Sequence, residues 1–322
     1  MASGKDIQRR IKSIGNTKKI TKAMEMVAAA KMRKAIESVL KTRTYANLSW
    51  ATVINLSQAS KNGDLHPLLK KRDKTEKVAI ILITSNRGLC GSYNSALINK
   101  AEESIKTHFL EDGKTTIPTD YLLIGKKGEA VYRFFKHDIA AEFPKEDLVQ
   151  SVKEVIPIAK MMISDYLSKK YDKVLVAYTD FVSASKQIPR VKQLLPIVIG
   201  SSDEYLGIIG QDTRLGIHKD FISKKEDKYL KTEKYTYEYT FEPSPREVLD
   251  EMIPRLLEIQ LFQAMLESNA SEHSARMSAM HQATDAAGDL VNELTLFYNK
   301  ARQASITAEL AEISAGANAL AE

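Results

Sequence analysis

The residues best able to do chemistry lie in one glycine-bearing stretch, Ser85-Asn-Arg-Gly-Leu-Cys-Gly-Ser-Tyr-Asn94, which follows the branched run Lys77 to Thr84. A strand feeding a glycine turn is how nucleotide-binding folds bring backbone N–H groups up to a phosphate. The spacing argues against that use. A dinucleotide fingerprint takes three glycines as G-x-G-x-x-G, and Gly88-Leu-Cys-Gly91 supplies two. The phosphate loop of ATPases further requires Lys and Ser or Thr after its last glycine, and the chain has no such run. Cys90 is the single cysteine. It could act as a nucleophile if Arg87 lowered its pKa, but a small residue packed in a tight turn is the preferred reading. His66, His108, His137, His218, His273 and His281 are scattered, and the closest pair is eight apart, outside the i, i+4 spacing of helical zinc motifs. Glu272-His273 reads as helix surface and not as an acid–base couple. No Ser-His-Asp order stands out, and one cysteine allows neither an intrachain disulfide nor a multi-cysteine metal site. These residues point to no catalytic group, no cofactor and no metal.

The elements that must position the turn alternate. Strand-like runs rich in branched residues (Lys77 to Thr84, Thr119 to Ile124, Lys173 to Tyr178) are separated by helix-like stretches (Ser95 to Phe109, Lys127 to Phe135, Val152 to Lys169). Such alternation predicts parallel strands with crossover helices. Gln187 to Ile199, with Pro189 and Pro196, predicts an edge or irregular strand, and Thr236 to Phe241 a closing one. The polar segment between, Gly200 to Lys234, reads as a surface excursion.

Both ends differ from this middle. Lys5 to Ser60 has no proline and one glycine, Gly15, while Ile7, Ile11, Ile14, Met24 and Val27 recur at helical spacing. A continuous helix there would run roughly 80 Å at about 1.5 Å per residue. Pro243-Ser-Pro-Arg-Glu opens a second helix with proline, serine and acids in its first turn. A three-and-four stripe follows through Met277, Met280, Thr284, Ala287, Val291, Leu294, Tyr298 and Ala301, the pattern of a coiled-coil seam. Beyond it the inward positions are expected to shrink to alanine at Ala304, Ala308, Ala311 and Ala315. Met1 to Tyr45 holds twelve Lys or Arg against three acids, and Pro245 to Glu322 holds five against twelve. Opposite charge sets two long helices up to pair antiparallel. A ~100 Å helix cannot be covered by a domain of ~165 residues with a radius of gyration near ~15 Å.

The basic first helix could meet phosphates of nucleic acid, but it has few aromatic residues and the acidic partner would cancel its field. No stretch reaches the ~20 apolar residues that span a bilayer, and the first residues lead into a charged amphipathic pattern instead of a signal peptide. A soluble intracellular chain with no direct membrane insertion is expected. The fold class is α/β plus a long antiparallel α-helical coiled coil. A Rossmann-like three-layer domain at 76–242, with its excursion at about 200–234, is inserted between shaft segments 1–60 and 243–322.

Four blocks in order carry a resemblance. They are Ile20-Thr-Lys-Ala-Met-Glu-Met-Val-Ala-Ala-Ala-Lys-Met-Arg-Lys34, Arg87-Gly-Leu-Cys-Gly91, Glu272-His-Ser-Ala-Arg-Met-Ser-Ala-Met280 and Tyr298-Asn-Lys-Ala-Arg-Gln-Ala-Ser-Ile-Thr-Ala-Glu-Leu-Ala-Glu-Ile313. Together, over about Ile7 to Leu320, the chain closely resembles the gamma subunit of F-type ATP synthases. The resemblance implies a non-catalytic shaft inside a ring of alpha and beta subunits, with its α/β domain beside epsilon and the membrane c-ring. Catalysis would occur on beta, and the location would be peripheral, on the cytoplasmic face of the bacterial plasma membrane. It also implies that Met24, Arg302, Gln303 and Thr307 touch mobile loops of beta, with Arg87 and Cys90 near the same lever. Asn86 stands where the family commonly has Asp, and Ser92 where a second glycine is usual. The excursion lies near a chloroplast redox insertion but contains no cysteine. The competing reading is a nucleotide-binding α/β enzyme using Arg87 to Asn94, with the helices as an oligomerisation arm.

Overall fold

The computed structural model describes residues 4–59, 66–70, 72, 74–108, 110–111, 115–149, 151–197 and 245–321. The expected excursion at 200–234, the closing strand Thr236 to Phe241 and the opening Pro243-Ser244 lie outside the described residues. The chain divides into two compact units, Ala29–Ala275 and Met1–Ala28 with Arg276–Glu322.

In the larger unit, β1 (Val78–Ile83), β4 (Thr119–Ile124), β5 (Asp138–Phe143), β6 (Lys173–Ser183) and β7 (Lys186–Leu195) form one sheet in the order β5-β4-β1-β6-β7. β1 pairs parallel with β4 and β6, and β4 with β5, so the alternation of runs did encode crossovers. β7 is antiparallel and at the edge, the place in a sheet where a proline such as Pro189 is tolerated. A short hairpin, β2 (Leu110–Glu111) with β3 (Thr115–Thr116), precedes β4.

Period-two alternation sorts the strand side chains onto two faces. Ala79, Ile81, Ile83, Leu122, Ile124, Val174 and Val176 pack with α4 (Ile156–Leu167) and with Leu249 to Leu266 of α5 (Pro245–Ala321). Val78, Ile80, Leu82, Tyr121, Leu123, Leu175 and Ala177 pack with α2 (Tyr93–His108) and α3 (Ala130–Phe135). Three layers result, and continuous apolar strands such as Val-Ala-Ile-Ile-Leu-Ile suit burial on both faces. α1 (Gly4–Ala59) joins this unit through Ala35, which sits with Phe181 and Ala270, and through Val39.

Gly125 ends β4 where the backbone passes close under β1. Its φ is 98°, and a Cβ there would lie 2.5 Å from the Thr84 carbonyl oxygen. Gly125→Ala meets both backbone strain and overlap, and a loss of about 2–3 kcal/mol is expected in urea unfolding of the chain.

In the smaller unit, the start of α1 and the later part of α5 run antiparallel. Thr284 Oγ1 donates to Thr21 Oγ1 at 2.8 Å, and Glu25 pairs with His281 Nδ1 at 3.4 Å. Lys18 packs against Gly288. The stripe expected from the sequence is the seam: Met280, Thr284 and Ala287 are buried, and Met277, Val291, Leu294, Tyr298 and Ala301 are half-buried. On α1 the expected Val27 is 56% exposed and Ala28 points inward instead. The strict three-and-four spacing set by Ile7, Ile11 and Ile14 passes through Thr21 and Ala28 and misses Val27.

Ala304, Ala308, Ala311 and Ala315 are not inward positions, since every side chain of 302–315 is exposed. With residue 18 level with residue 288, α1 at Gly4 reaches only to about residue 302. Among the described residues no helix of this chain lies alongside α5 beyond that level.

Candidate functional site

The turn after β1 is built by short-range polar contacts. The Ser85 amide donates to Asn94 Oδ1 at 3.0 Å, Ser85 Oγ donates to the Arg87 carbonyl at 2.8 Å, and Asn94 Nδ2 donates to Ser85 Oγ at 2.7 Å. Leu89 and Gly91 both take left-handed backbone, φ 63° and 57°, which folds the loop back before α2 begins. Cys90 is buried inside this fold, its Sγ 3.3 Å from Asn94 Nδ2 and 3.8 Å from Ser85 Oγ. Its neighbours are a hydroxyl and an amide, which supports the packing reading. Arg87, Gly88 and Leu89 are exposed at the tip.

The segment after β5 crosses beneath that tip and ties four parts of the larger unit together. Asn86 Nδ2 donates to the Lys145 carbonyl at 2.6 Å, a bond for which an aspartate would have no donor. Lys145 Nζ reaches Glu272 Oε2 on α5 at 2.6 Å, with only 2% and 7% of the two side chains exposed. The same ammonium lies 5.9 Å from the Tyr93 ring centroid, and the Tyr93 hydroxyl meets Ser268 Oγ at 2.7 Å. Burial raises the Tyr93 pKa, against the pull of Lys145. Asp147 accepts from Lys31 of α1 at 2.6 Å, while its carbonyl pairs with His273 Nε2 at 2.9 Å. Removing one partner of a buried ion pair leaves the other charge uncompensated, typically at about 3–5 kcal/mol.

Glu272 and His273 are therefore not helix surface, as the sequence suggested; they are 6% and 2% exposed. The reason is long range. Lys145 lies 127 residues from Glu272, and nothing local announces the pairing. The one signal available was the polar run Glu267 to Ser274 in a helix otherwise apolar on entry, since a polar stretch inside a buried helix must find partners. Lys31, Lys145, Asp147 and Tyr93 were not identified from sequence.

The Lys31 hydrogen bond, then its charge and that of Arg87, hold the Asp147 carboxyl below its ordinary 3.8, with burial opposing. A depressed folded-state pKa means the tie stabilises above 3.8 and is lost as pH falls through the lower folded value. Asp147→Asn is expected to flatten the acid limb of stability below pH 3.8, read as the thermal midpoint against pH.

In the smaller unit, Met24 is half-buried and Arg302, Gln303 and Thr307 are exposed. Thr307 Oγ1 donates to the Gln303 carbonyl at 2.9 Å, so these two stack on one side of α5. Ile306, Leu310 and Ile313 are 48%, 62% and 69% exposed at i, i+4, i+7 spacing. Met24 lies at about the level of His281, some 21 residues or roughly 30 Å along α5 from Arg302, so the fold does not bring it beside Arg302, Gln303 and Thr307. Arg87 and Cys90 belong to the other unit.

A family model described as ATP synthase matches residues 3–320. The ATP synthase gamma chain of Legionella pneumophila (strain Corby) is 38% identical over 320 residues, covering 99% of this chain and 100% of the relative. The chain belongs to the ATP synthase gamma-chain family. The gamma chain of Herpetosiphon aurantiacus is 40% identical over 327 residues, with 99% of each chain covered. In fold, the chain is similar to one in the Euglena gracilis mitochondrial ATP synthase (OSCP/F1/c-ring, rotational state 3). The TM-score is 0.62 at 18% identity, covering 98% of this chain and 94% of that one. A second chain of that synthase, from its rotor in rotational state 1, gives 0.58 at 17% identity, covering 94% and 98%. Among the described residues of this gamma-family chain, no helix is long and apolar enough to cross a membrane. No group of three or more His, Cys, Asp or Glu among them could hold a metal ion.

Proposed function

We propose that the chain is the central rotor stalk of an F-type ATP synthase. It transmits torque between a membrane c-ring and a catalytic alpha/beta ring, coupling proton or sodium flow to ATP synthesis or hydrolysis. The observation that carries this is the end-to-end match to gamma chains at 38–40% identity. In this reading the shaft comprises 1–60 and 243–322, and the α/β domain 76–242 sits beside epsilon. The chain is a non-catalytic subunit, ATP chemistry occurs on beta, and the complex lies at the cytoplasmic face of a bacterial plasma membrane.

The mechanism is differential contact. Among the described residues the shaft past residue 302 is a single helix whose sides differ, with Ile306, Leu310 and Ile313 on one face and Ala304, Ala308, Ala311 and Ala315 on the opposite one. Three otherwise identical beta subunits around it each meet a different side, and that difference biases their conformations and nucleotide affinities. Met24, Arg302, Gln303 and Thr307 contact the beta loops in this reading. Arg87 engages them from its exposed turn, and Cys90 serves by holding that turn in shape. Co-expression of alpha and beta with and without this chain tests it. Nucleotide-driven rotation and full coupled activity are expected only with the chain; a fully active rotating complex without it overturns the reading.

A further inference from the structure

Within the larger unit, α5 is enclosed from Leu266 to Ser274, each residue being 0–6% exposed. A helix enclosed by apolar groups can turn about its axis with little penalty, because dispersion and hydrophobic contact carry no direction. This stretch is held differently. Ser268 meets the Tyr93 hydroxyl of α2 at 2.7 Å. Ser271 Oγ donates to the Thr179 carbonyl of β6 at 3.0 Å. Glu272 takes the Lys145 ammonium at 2.6 Å, and His273 meets the Asp147 carbonyl at 2.9 Å. Ser274 Oγ donates to the Ala184 carbonyl, in the turn between β6 and β7, at 2.7 Å.

At 3.6 residues per turn each residue advances about 100°, so relative to Ser268 these ties point near 300°, 40°, 140° and 240°. The widest gap between neighbouring ties is about 100°. Hydrogen bonds weaken steeply once misaligned, so any rotation of α5 about its own axis strains all five at once. Lys145–Glu272 is the charged member of the set.

We propose that Ser268 to Ser274 is a torsion anchor. Its ring of directional ties fixes the azimuth of α5 in the α/β unit, so that torque passes through the helix instead of being lost as the helix turns in its socket. Lys145 and Glu272 are its principal positioning residues, with Tyr93 second. The inference deepens the rotor reading and rests on it.

The test has two arms. In the full chain carrying Cys90→Ser, spin labels at Glu103→Cys on α2 and Arg255→Cys on α5 report the helix azimuth as a distance distribution. Lys145→Met with Glu272→Leu keeps apolar packing but removes the charged tie, and the distribution is expected to broaden at least about twofold. Tyr93→Phe, which keeps the ring, should broaden it less, and Lys145→Glu with Glu272→Lys should restore the narrow distribution. In the assembled synthase, the same Met/Leu pair is expected to soften the rotor about twofold in single-molecule torsional fluctuation and to lower ions pumped per ATP. Unchanged distributions in both the Met/Leu pair and Tyr93→Phe overturn the anchor, as does a broadened distribution with unaltered stiffness and pumping. Failure of the unsubstituted chain to assemble with alpha and beta overturns the rotor reading itself, and the anchor's role in torque with it.

Discussion

Replacing Arg302, Gln303 and Thr307 together with alanine is expected to leave the chain folded and to cripple the complex. All three side chains are exposed, and Thr307 spends its hydroxyl on its own helix, so stability should move by less than about 0.5 kcal/mol per site. If these side chains carry the coupling between shaft angle and beta conformation, the lost coupling corresponds to about 1–3 kcal/mol, or roughly 5–150-fold in ATP hydrolysis by the assembled synthase. Circular dichroism of the free chain and steady-state hydrolysis by the complex separate the two effects. Hydrolysis within twofold of the parent would remove these residues from the contact.

The second large effect is on folding. Leu261 is 1% exposed and packs in the cluster that includes Ile81, Val174 and Leu194, on the face where α5 meets the sheet. Leu261→Ala opens a void in a layer fixed by strands on one side and a long helix on the other, so the site has little freedom to collapse. A loss of about 3–5 kcal/mol in urea unfolding is expected. Such a loss is large against the total stability of a domain, so the yield of assembled complex should fall with it. Leu261→Met, close in volume, should lose less than about 1.5 kcal/mol.

Most of the fold was legible in the sequence because its signals are local and strong. Thr119 to Ile124 is a strand with the limits read from its residues, and the two ends are helices over Gly4–Ala59 and Pro245–Ala321, the second carrying Pro254 within it. β5 was missed. Asp138-Ile-Ala-Ala-Glu-Phe143 is short, has two acids and lies at a sheet edge with alternating exposure, so composition gives it little weight. That omission hid the rest. Without β5 there was no reason to place Pro144 to Leu148 against α5, and Lys145 could not be matched with Glu272. The seam of the smaller unit was legible on α5, where eight residues keep the spacing. On α1 it was read less well, because Lys18, Thr21 and Glu25 occupy seam positions that hydrophobicity does not mark.

The unaccompanied end of α5 has a kinetic side. An isolated helix of that length would be marginal in water, since its first turn must order several residues before any bond is returned. Here the turns past Ala301 extend a helix already templated by its neighbour, so each added residue faces only the propagation step. Alanine, with the strongest intrinsic preference for that step, is common there. Among the described residues the tip thus stays wound without leaning on other side chains of its own chain, and the surface of 302–315 is left bare for whatever surrounds it.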